Sequence, residues 1–252
     1  MKTLKFIVPA IAIIAIAPAF AVYNASAKHA KTTEPEHLTL AKELVQGILN
    51  QAAASKFTDA NGVLTNRYGG EVGTYYITFA DPDVPNSSYS NFTRCAPFLT
   101  QLFKEAYNWT PPQAMGNSPD PKKYHNAISK SINGFTFRAD FSQWEPGDIL
   151  ASPYYDTTKN IGHVMLLLGA EEISNDPATK TKEYHAWVLD SSGDLHSSDT
   201  RTLYASLNQG GVGMGQIRIK TIDNVISQWA WNKTTAYYSA ERRPMTIGTI
   251  NQ

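Results

Sequence analysis

The chain has 252 residues, and its 22 Lys and Arg residues balance 22 Asp and Glu residues, so the formal charge at neutral pH is zero. Nothing in this balance points to nucleic acid or another polyanion, and we expect no nucleic-acid partner. The single cysteine excludes an intramolecular disulfide and a zinc site built from cysteines.

The first segment has the pattern of a secretory signal peptide. Two lysines precede an apolar run from Phe6 to Val22, and Ala25-Ser26-Ala27 supplies a small-x-small cleavage site. The run is short for a membrane span and contains two prolines, which argues against an uncleaved anchor. We therefore expect residues 1–27 to be a signal peptide, with cleavage after Ala21 as the alternative.

The remaining residues, 28–252, have a length that fits one domain with a sizeable core. Residues 28–36 are polar, and we expect a loose leader there. We see no internal repeat and no linker that would divide the chain. The mature protein is expected to be a secreted or periplasmic monomer that has no membrane contact once the signal is removed.

Helices are predicted early in the chain. Apolar residues at helical spacing between Leu38 and Leu49 indicate an amphipathic helix, capped by Thr33 with Pro35 in its first turn. A short helix is predicted over Lys122–Ile132, and the stretch 75–79 is typical of a short strand.

Strands are predicted to dominate the second half of the chain. They are expected at 149–151, 162–169, 184–189, 216–222 and 236–239. The stretch 162–169 is almost wholly apolar, as a strand buried on both faces should be. Helices followed by strands is the order of an α+β domain.

The only cysteine, Cys95, is predicted to begin a second amphipathic helix. Phe98 and Leu102 follow it at helical spacing, and Asn91 or Thr93 could cap the helix start. The positive end of a helix stabilises a thiolate, which is the nucleophilic form of cysteine. Because Cys95 shares a face with the apolar residues, it could instead be a small core residue.

A thiol nucleophile needs a base and a third group that orients the base. Among the six histidines, His163 stands at the start of the apolar strand 162–169, whereas His29, His37 and His125 are expected on the surface. We therefore predict that His163 is the base. The alternative is a core histidine with satisfied hydrogen bonds.

Two residues compete to orient His163. Asp190 ends the next predicted strand, where its carboxylate could accept an imidazole N–H, although it could equally begin a turn before Ser-Ser-Gly. His185 lies on the same strand. Alternation along a strand puts His185 and Asp190 on opposite faces, so only one of them can face His163. We assign the third position to Asp190 and keep His185 as the alternative.

Together these stretches resemble the NlpC-type peptidoglycan endopeptidases, a papain-like cysteine peptidase family. Arg67-Tyr68-Gly69-Gly70 is similar to the family's Tyr-x-Gly-Gly turn, and Cys95 matches the place of its Asp-Cys-Ser segment. Pro146-Gly147-Asp148-Ile149-Leu150 is similar to its Pro-Gly-Asp-Leu strand start, and Gly162-His163-Val164 to its His-Val-Gly strand. The family's acidic residue and serine beside the cysteine are replaced here by Arg94 and Ala96.

The resemblance implies a papain-like α+β fold in which a nucleophile helix packs on an antiparallel β-sheet. It implies that Cys95 is the nucleophile, His163 the base and Tyr68 a substrate-binding residue. Arg94, next to the nucleophile, is our second substrate-binding candidate, and Asp190 as the third catalytic residue is our own assignment. The expected reaction is amide hydrolysis through an acyl thioester, without a cofactor, on peptidoglycan stem peptides or another peptide substrate.

Other interpretations stay open from the sequence. The chain could be a catalytically inactive secreted binding protein on the same fold, or it could transfer an acyl group to a non-wall substrate. His185, Asp190, Asp194 and His196 show no recognised ligand spacing, so we predict no metal site. The glycine-rich run 210–215 lacks the Lys-Ser/Thr of a phosphate loop and is predicted to allow close backbone packing near the site.

Overall fold

The computed structural model describes residues 34–158, 161–205, 207 and 210–251. These residues belong to a single compact unit. The predicted signal peptide, most of the predicted leader, His29 and the proposed Thr33 cap lie outside the described residues. Within the described part of the chain, no helix has the length and apolar character that a membrane span requires.

The described residues form four α-helices and ten strands. The helices are α1 (Glu36–Ala53), α2 (Cys95–Tyr107), α3 (Pro121–Ser129) and α4 (Thr202–Ala205). The strands are β1 (Asn66–Tyr68), β2 (Tyr76–Thr78), β3 (Ser90–Thr93), β4 (Phe135–Phe137), β5 (Ile149–Pro153), β6 (Gly162–Asp176), β7 (Thr181–Ser192), β8 (Gly211–Ile222), β9 (Val225–Ala230) and β10 (Thr246–Ile250).

The strands form two sheets. The main sheet has seven strands in the order β4-β10-β5-β6-β7-β8-β9, and all its neighbours are antiparallel. The smaller sheet has the order β1-β3-β2, with β3 parallel to β1 and antiparallel to β2. The predicted mixture of helices with antiparallel sheet, an α+β architecture, is confirmed.

The core lies on both faces of the main sheet. On one face α2 packs against β6, β7 and α1. Val164 and Leu166 of β6 belong to that core cluster, whereas Met165 and Leu167 belong to the cluster on the opposite face. Both faces of β6 are therefore buried, which explains why its first half is apolar without alternation. This burial fixes the start of β6, where His163 lies.

Several predicted elements have different bounds in the structure. Strand β6 continues to Asp176 and β7 begins at Thr181, so both strands are longer than predicted. Most of the added residues are polar and give no hydrophobic signal. The predicted strand at 236–239 is wrong, because it forms only a single bridge between Trp229 and Tyr238.

The prediction that His37 is a surface residue is also wrong. Its side chain is in the core, where Nδ1 lies 2.7 Å from the Tyr107 hydroxyl and Nε2 lies 2.8 Å from the Gly147 carbonyl oxygen. Burial lowers the pKa of His37, so the ring is held in its neutral form. The signal was present in the sequence, because His37 precedes Ala41 by four residues on the buried face of α1.

Candidate active site

The candidate residues converge at one end of the main sheet. Cys95 begins α2, His163 is the second residue of β6, and Asp190 lies near the end of β7. Because β6 and β7 are antiparallel, the start of the first meets the end of the second. The Ser191 hydroxyl donates a hydrogen bond of 2.9 Å to the carbonyl oxygen of Thr93, which ties the end of β7 to the segment that precedes Cys95.

His163 and Asp190 are in direct contact. The Nε2 atom of His163 lies 2.5 Å from Oδ2 of Asp190, and both residues are buried. A carboxylate accepts hydrogen bonds, so Nε2 carries the hydrogen and Nδ1 is the ring nitrogen left for another partner. The predicted contact between these two residues is therefore present in the structure.

The surroundings of His163 favour the charged ring. Burial opposes the charge, but the charge of Cys95, hydrogen bonds with Asp190 and with Cys95, and the charge of Asp190 raise the pKa of His163 to about 10. Cys95 is itself only 5% exposed, at the first position of α2. The only thiol of the chain is thus one of the causes of the raised pKa of His163.

Asp190 is enclosed by Arg201 and two histidines. Burial opposes its ionisation, but Arg201, His196 and His163 hold the pKa of its carboxyl well below its usual range. Arg201 Nη1 lies 3.0 Å from Oδ1, as an ion pair without the alignment of a hydrogen bond. His196 Nε2 lies 2.8 Å from Oδ2, the same oxygen that His163 contacts.

The sequence did not identify His196, Asp199 and Arg201 as parts of the site. All three are buried, and Asp199 pairs with Arg201 through contacts of 2.9 Å to Nε and 2.5 Å to Nη2. The segment that carries them has neither strand nor helix periodicity over most of its length. The segment around Asp199 and Arg201 is mostly polar, so nothing in the sequence marks these two charged residues as buried.

The glycine-rich run in β8 makes room for these side chains. A Cβ atom at Gly213 would lie 2.4 Å from Cγ of Arg201, and one at Gly215 would lie 2.6 Å from Cβ of His196. Since real Cβ atoms do not approach so closely, only glycine fits at these two positions. The prediction that the run allows close packing near the site is confirmed.

The predicted caps of the nucleophile helix are wrong. Its N-cap residue is Arg94, which makes no side-chain capping hydrogen bond. Asn91 and Thr93 lie in β3 instead, where the Thr93 hydroxyl donates to Asn91 Oδ1 at 2.6 Å and Asn91 Nδ2 donates to the Arg67 carbonyl oxygen at 3.1 Å. These buried contacts brace the strand that leads into Cys95.

The two predicted substrate-binding residues, Tyr68 and Arg94, are both related to Cys95 in the structure: Arg94 precedes it in the chain, and its charge acts on Tyr68. Tyr68 ends β1, and its ring is 3.3 Å from where a Cβ atom of Gly193 would stand. Burial, followed by the charge of Cys95, raises the pKa of Tyr68, whereas the charge of Arg94 opposes this rise. Arg94 is exposed. Cys95 and Arg94 thus both act electrostatically on Tyr68.

His185 does not face the site. It is half-buried on β7, five residues before Asp190, and pairs in register with Glu171 and Arg218. Burial, with the charge of Lys233, lowers the pKa of His185. Of the two alternatives from the sequence, the structure places Asp190 beside His163.

The cluster of His163, Asp190 and His196 has donor atoms within 4.8 Å of one another, as a metal site would require. However, Oδ2 of Asp190 lies only 2.5 Å and 2.8 Å from the two ring nitrogens. Ligands placed tetrahedrally around zinc at its usual bond lengths would be roughly 3.3 Å apart. The observed distances are shorter than this and are typical of hydrogen bonds. The guanidinium of Arg201 also places a positive charge beside Asp190, which disfavours a metal cation there.

Comparisons with protein-family models, with curated proteins and with solved structures found no match.

Replacing Asp190 should separate its role from that of His185. Asp190→Asn is expected to lower turnover by roughly 10²- to 10⁴-fold, because the imidazolium loses its charged partner and the new amide cannot accept from every donor around it. His185→Ala is the matched control and should change turnover little. The measurement is the rate of peptide release by the two variants. A larger loss in His185→Ala than in Asp190→Asn would mean that His185 orients His163.

Proposed function

We propose that this protein is an exported cysteine hydrolase that cleaves amide bonds in peptides, with peptidoglycan stem peptides as its substrate class. The observation that carries the proposal is the buried series of Cys95, His163 and Asp190, in which each side chain interacts with the next. The signal peptide predicted from the sequence and the resemblance to NlpC-type endopeptidases support the choice of the cell wall as the site of action.

In the proposed reaction the Cys95 thiolate attacks the carbonyl carbon of the scissile amide. The N–H groups in the first turn of α2 have no partner within the helix, so the N–H of Cys95 can stabilise the oxyanion. His163 then donates its Nδ1 proton to the leaving amine, while Asp190 holds the ring through Nε2. Water, activated by His163, hydrolyses the thioester and releases the second product.

The finer fold assignment belongs to the same proposal. In a papain-like domain the nucleophile begins a helix that packs against the strands bearing the base and its orienting residue. Here α2 packs against both β6 and β7. These contacts support the papain-like assignment. Tyr68 and Arg94 would border the substrate, and the exposed guanidinium of Arg94 suits a carboxylate-bearing stem peptide.

Digestion of purified peptidoglycan tests this proposal. The refolded or exported protein should release soluble fragments whose masses show hydrolysis of one amide bond, with a new amino and a new carboxyl end. Protein alkylated at Cys95 beforehand is the control and should release none. Absence of fragments from wild-type protein on walls and on isolated stem peptides would contradict the proposal. Added amine acceptors would reveal acyl transfer as a mass increase in place of hydrolysis.

One observation favours a different class of function. Cys95 is 5% exposed and belongs to the core cluster of α2, as an unreactive structural cysteine would. A secreted binding protein without catalysis would retain this arrangement. Alkylation with iodoacetamide separates the classes, because a binding protein should react only after denaturation, whereas the hydrolase should react in its native state.

A further inference from the structure

His196 lies beside the candidate triad and has two acceptors around its ring. Its side chain is 0% exposed. Nδ1 lies 3.0 Å from the carbonyl oxygen of Trp231, and Nε2 lies 2.8 Å from Oδ2 of Asp190. A backbone carbonyl only accepts hydrogen bonds, and so does an ionised carboxylate.

These two contacts determine the hydrogens on the ring. A neutral imidazole has one N–H and one lone pair, so it can donate to only one of the two oxygens. Asp190 cannot supply the missing hydrogen, because Arg201 at 3.0 Å favours its ionised form. Both hydrogen bonds are satisfied only if His196 carries a hydrogen on each nitrogen.

The charges around His196 account for a cation at this position. Asp190 and Asp199 are buried carboxylates, whereas Arg201 is a single buried guanidinium that contacts both. An unbalanced buried charge is costly, so a second cation is needed to match the second carboxylate. His196 supplies it, which leaves His163 free to pair with Cys95.

The His196 ring is also held rigidly. Its backbone N–H donates to Oδ2 of Asp199 at 2.8 Å, and the Trp231 ring lies against it with centroids 4.3 Å apart. Gly215 leaves space for the residue on β8. The same Trp231 ring contacts His163, with centroids 4.9 Å apart. The backbone bond to Asp199, the Trp231 ring and the close approach of Gly215 thus hold His196 in place while its ring donates to Asp190.

We propose that His196 is a positioning residue: as a doubly protonated ring it donates to Asp190 Oδ2 and holds that carboxylate in place for His163. Its effect on turnover rests on the proposed hydrolase function, but its hydrogen-bonded state does not. Asp190 is then held at Oδ2 by His196 and at Oδ1 by Arg201. Among the residues that the structure describes, one further donor, His163, lies at hydrogen-bond distance from Oδ2.

Nitrogen-15 NMR of the full chain, labelled at histidine, tests the protonation state directly. At neutral pH both ring nitrogens of His196 should have protonated shifts and attached hydrogens, in wild type and in Cys95→Ala alike. The groups that face the ring are Asp190, Asp199, Arg201, His163 and the Trp231 carbonyl. A His196 ring with one unprotonated nitrogen would overturn the proposal, whether or not the protein is a hydrolase.

A pair of substitutions tests the positioning role. His196→Leu removes both donors and should lower kcat for peptide release by about 10- to 100-fold with KM unchanged, whereas His196→Gln retains an amide donor and should recover part of that loss. His185→Leu is the matched control. Equal losses in the folded Leu and Gln variants, or no loss in the Leu variant, would overturn the proposal.

The NMR measurement and the substitutions distinguish a failure of the positioning proposal from a failure of the proposed hydrolase function. If wild-type protein releases no peptide, the proposed function fails, and the NMR measurement still decides the state of His196. Native alkylation of Cys95 then replaces turnover as the kinetic readout, with the same ranking of wild type, Gln and Leu variants expected. If the Leu variant does not fold, which thermal unfolding would reveal, the comparison of wild type with His196→Gln and the NMR measurement decide the question.

Discussion

Cys95→Ala should abolish the release of stem peptides from purified peptidoglycan. The chain has no second cysteine, so no other thiol can form the acyl intermediate. Alanine fills most of the volume of cysteine and keeps the helix start, so the thermal unfolding temperature should change by only a few degrees. Mass spectrometry of the soluble fraction and thermal unfolding of both proteins measure the two effects.

Cys95→Ser is the closer control for this result. It keeps a side chain of similar size, but a serine hydroxyl is a far weaker nucleophile without further activation. Both variants should therefore be inactive and folded. Release of fragments by the alanine variant at a rate near wild type would show that Cys95 does not form the intermediate, and the proposed mechanism would be wrong.

The parts of the site that lie on regular elements were predictable from sequence. Helical spacing after Cys95 indicated α2, and the apolar run indicated the start of β6 at His163. The alternation of side chains then indicated that only one of Asp190 and His185 could face His163, and Asp190 was assigned because it ends the next strand. Each of these steps uses a period of the backbone, and such periods are visible in a single sequence.

The rest of the site depends on long-range contacts that have no local signal. His196 and Arg201 reach Asp190 from an irregular segment whose path is set by packing against β8 and Trp231. Asn91 and Thr93 satisfy the local rules for a helix cap, yet they bond across β1, β3 and β7 instead. In both cases tertiary hydrogen bonds override what the neighbouring residues favour.

His163→Ala should have the second largest effect, and it should appear in the pH dependence as well as in the rate. Burial opposes the charge on His163, but Cys95 and Asp190 together raise its pKa to about 10. A raised pKa means that the imidazolium is populated below this pH and is lost above it. Wild-type activity should therefore stay high at neutral pH and fall as the pH rises through about 10.

The rate of alkylation of Cys95 by iodoacetamide, measured against pH, tests this pairing without any substrate. At neutral pH wild type should react readily, because a neighbouring imidazolium favours the nucleophilic form of the thiol. In His163→Ala the rate at neutral pH should fall sharply, because that partner is gone. Turnover should fall by several orders of magnitude, since both the proton donor and the partner of the thiolate are gone.

The reciprocal measurement is the His163 titration in Cys95→Ala. If the charge of Cys95 is one cause of the raised pKa, its removal should lower the pKa of His163 while the hydrogen bond to Asp190 remains. Nitrogen-15 shifts of the ring across the pH range give this value directly. Unchanged alkylation curves in His163→Ala, together with an unchanged His163 titration in Cys95→Ala, would mean that the two residues do not form a pair. The thiol would then belong to the core of α2, and Asp190, His163 and His196 would form a structural network only.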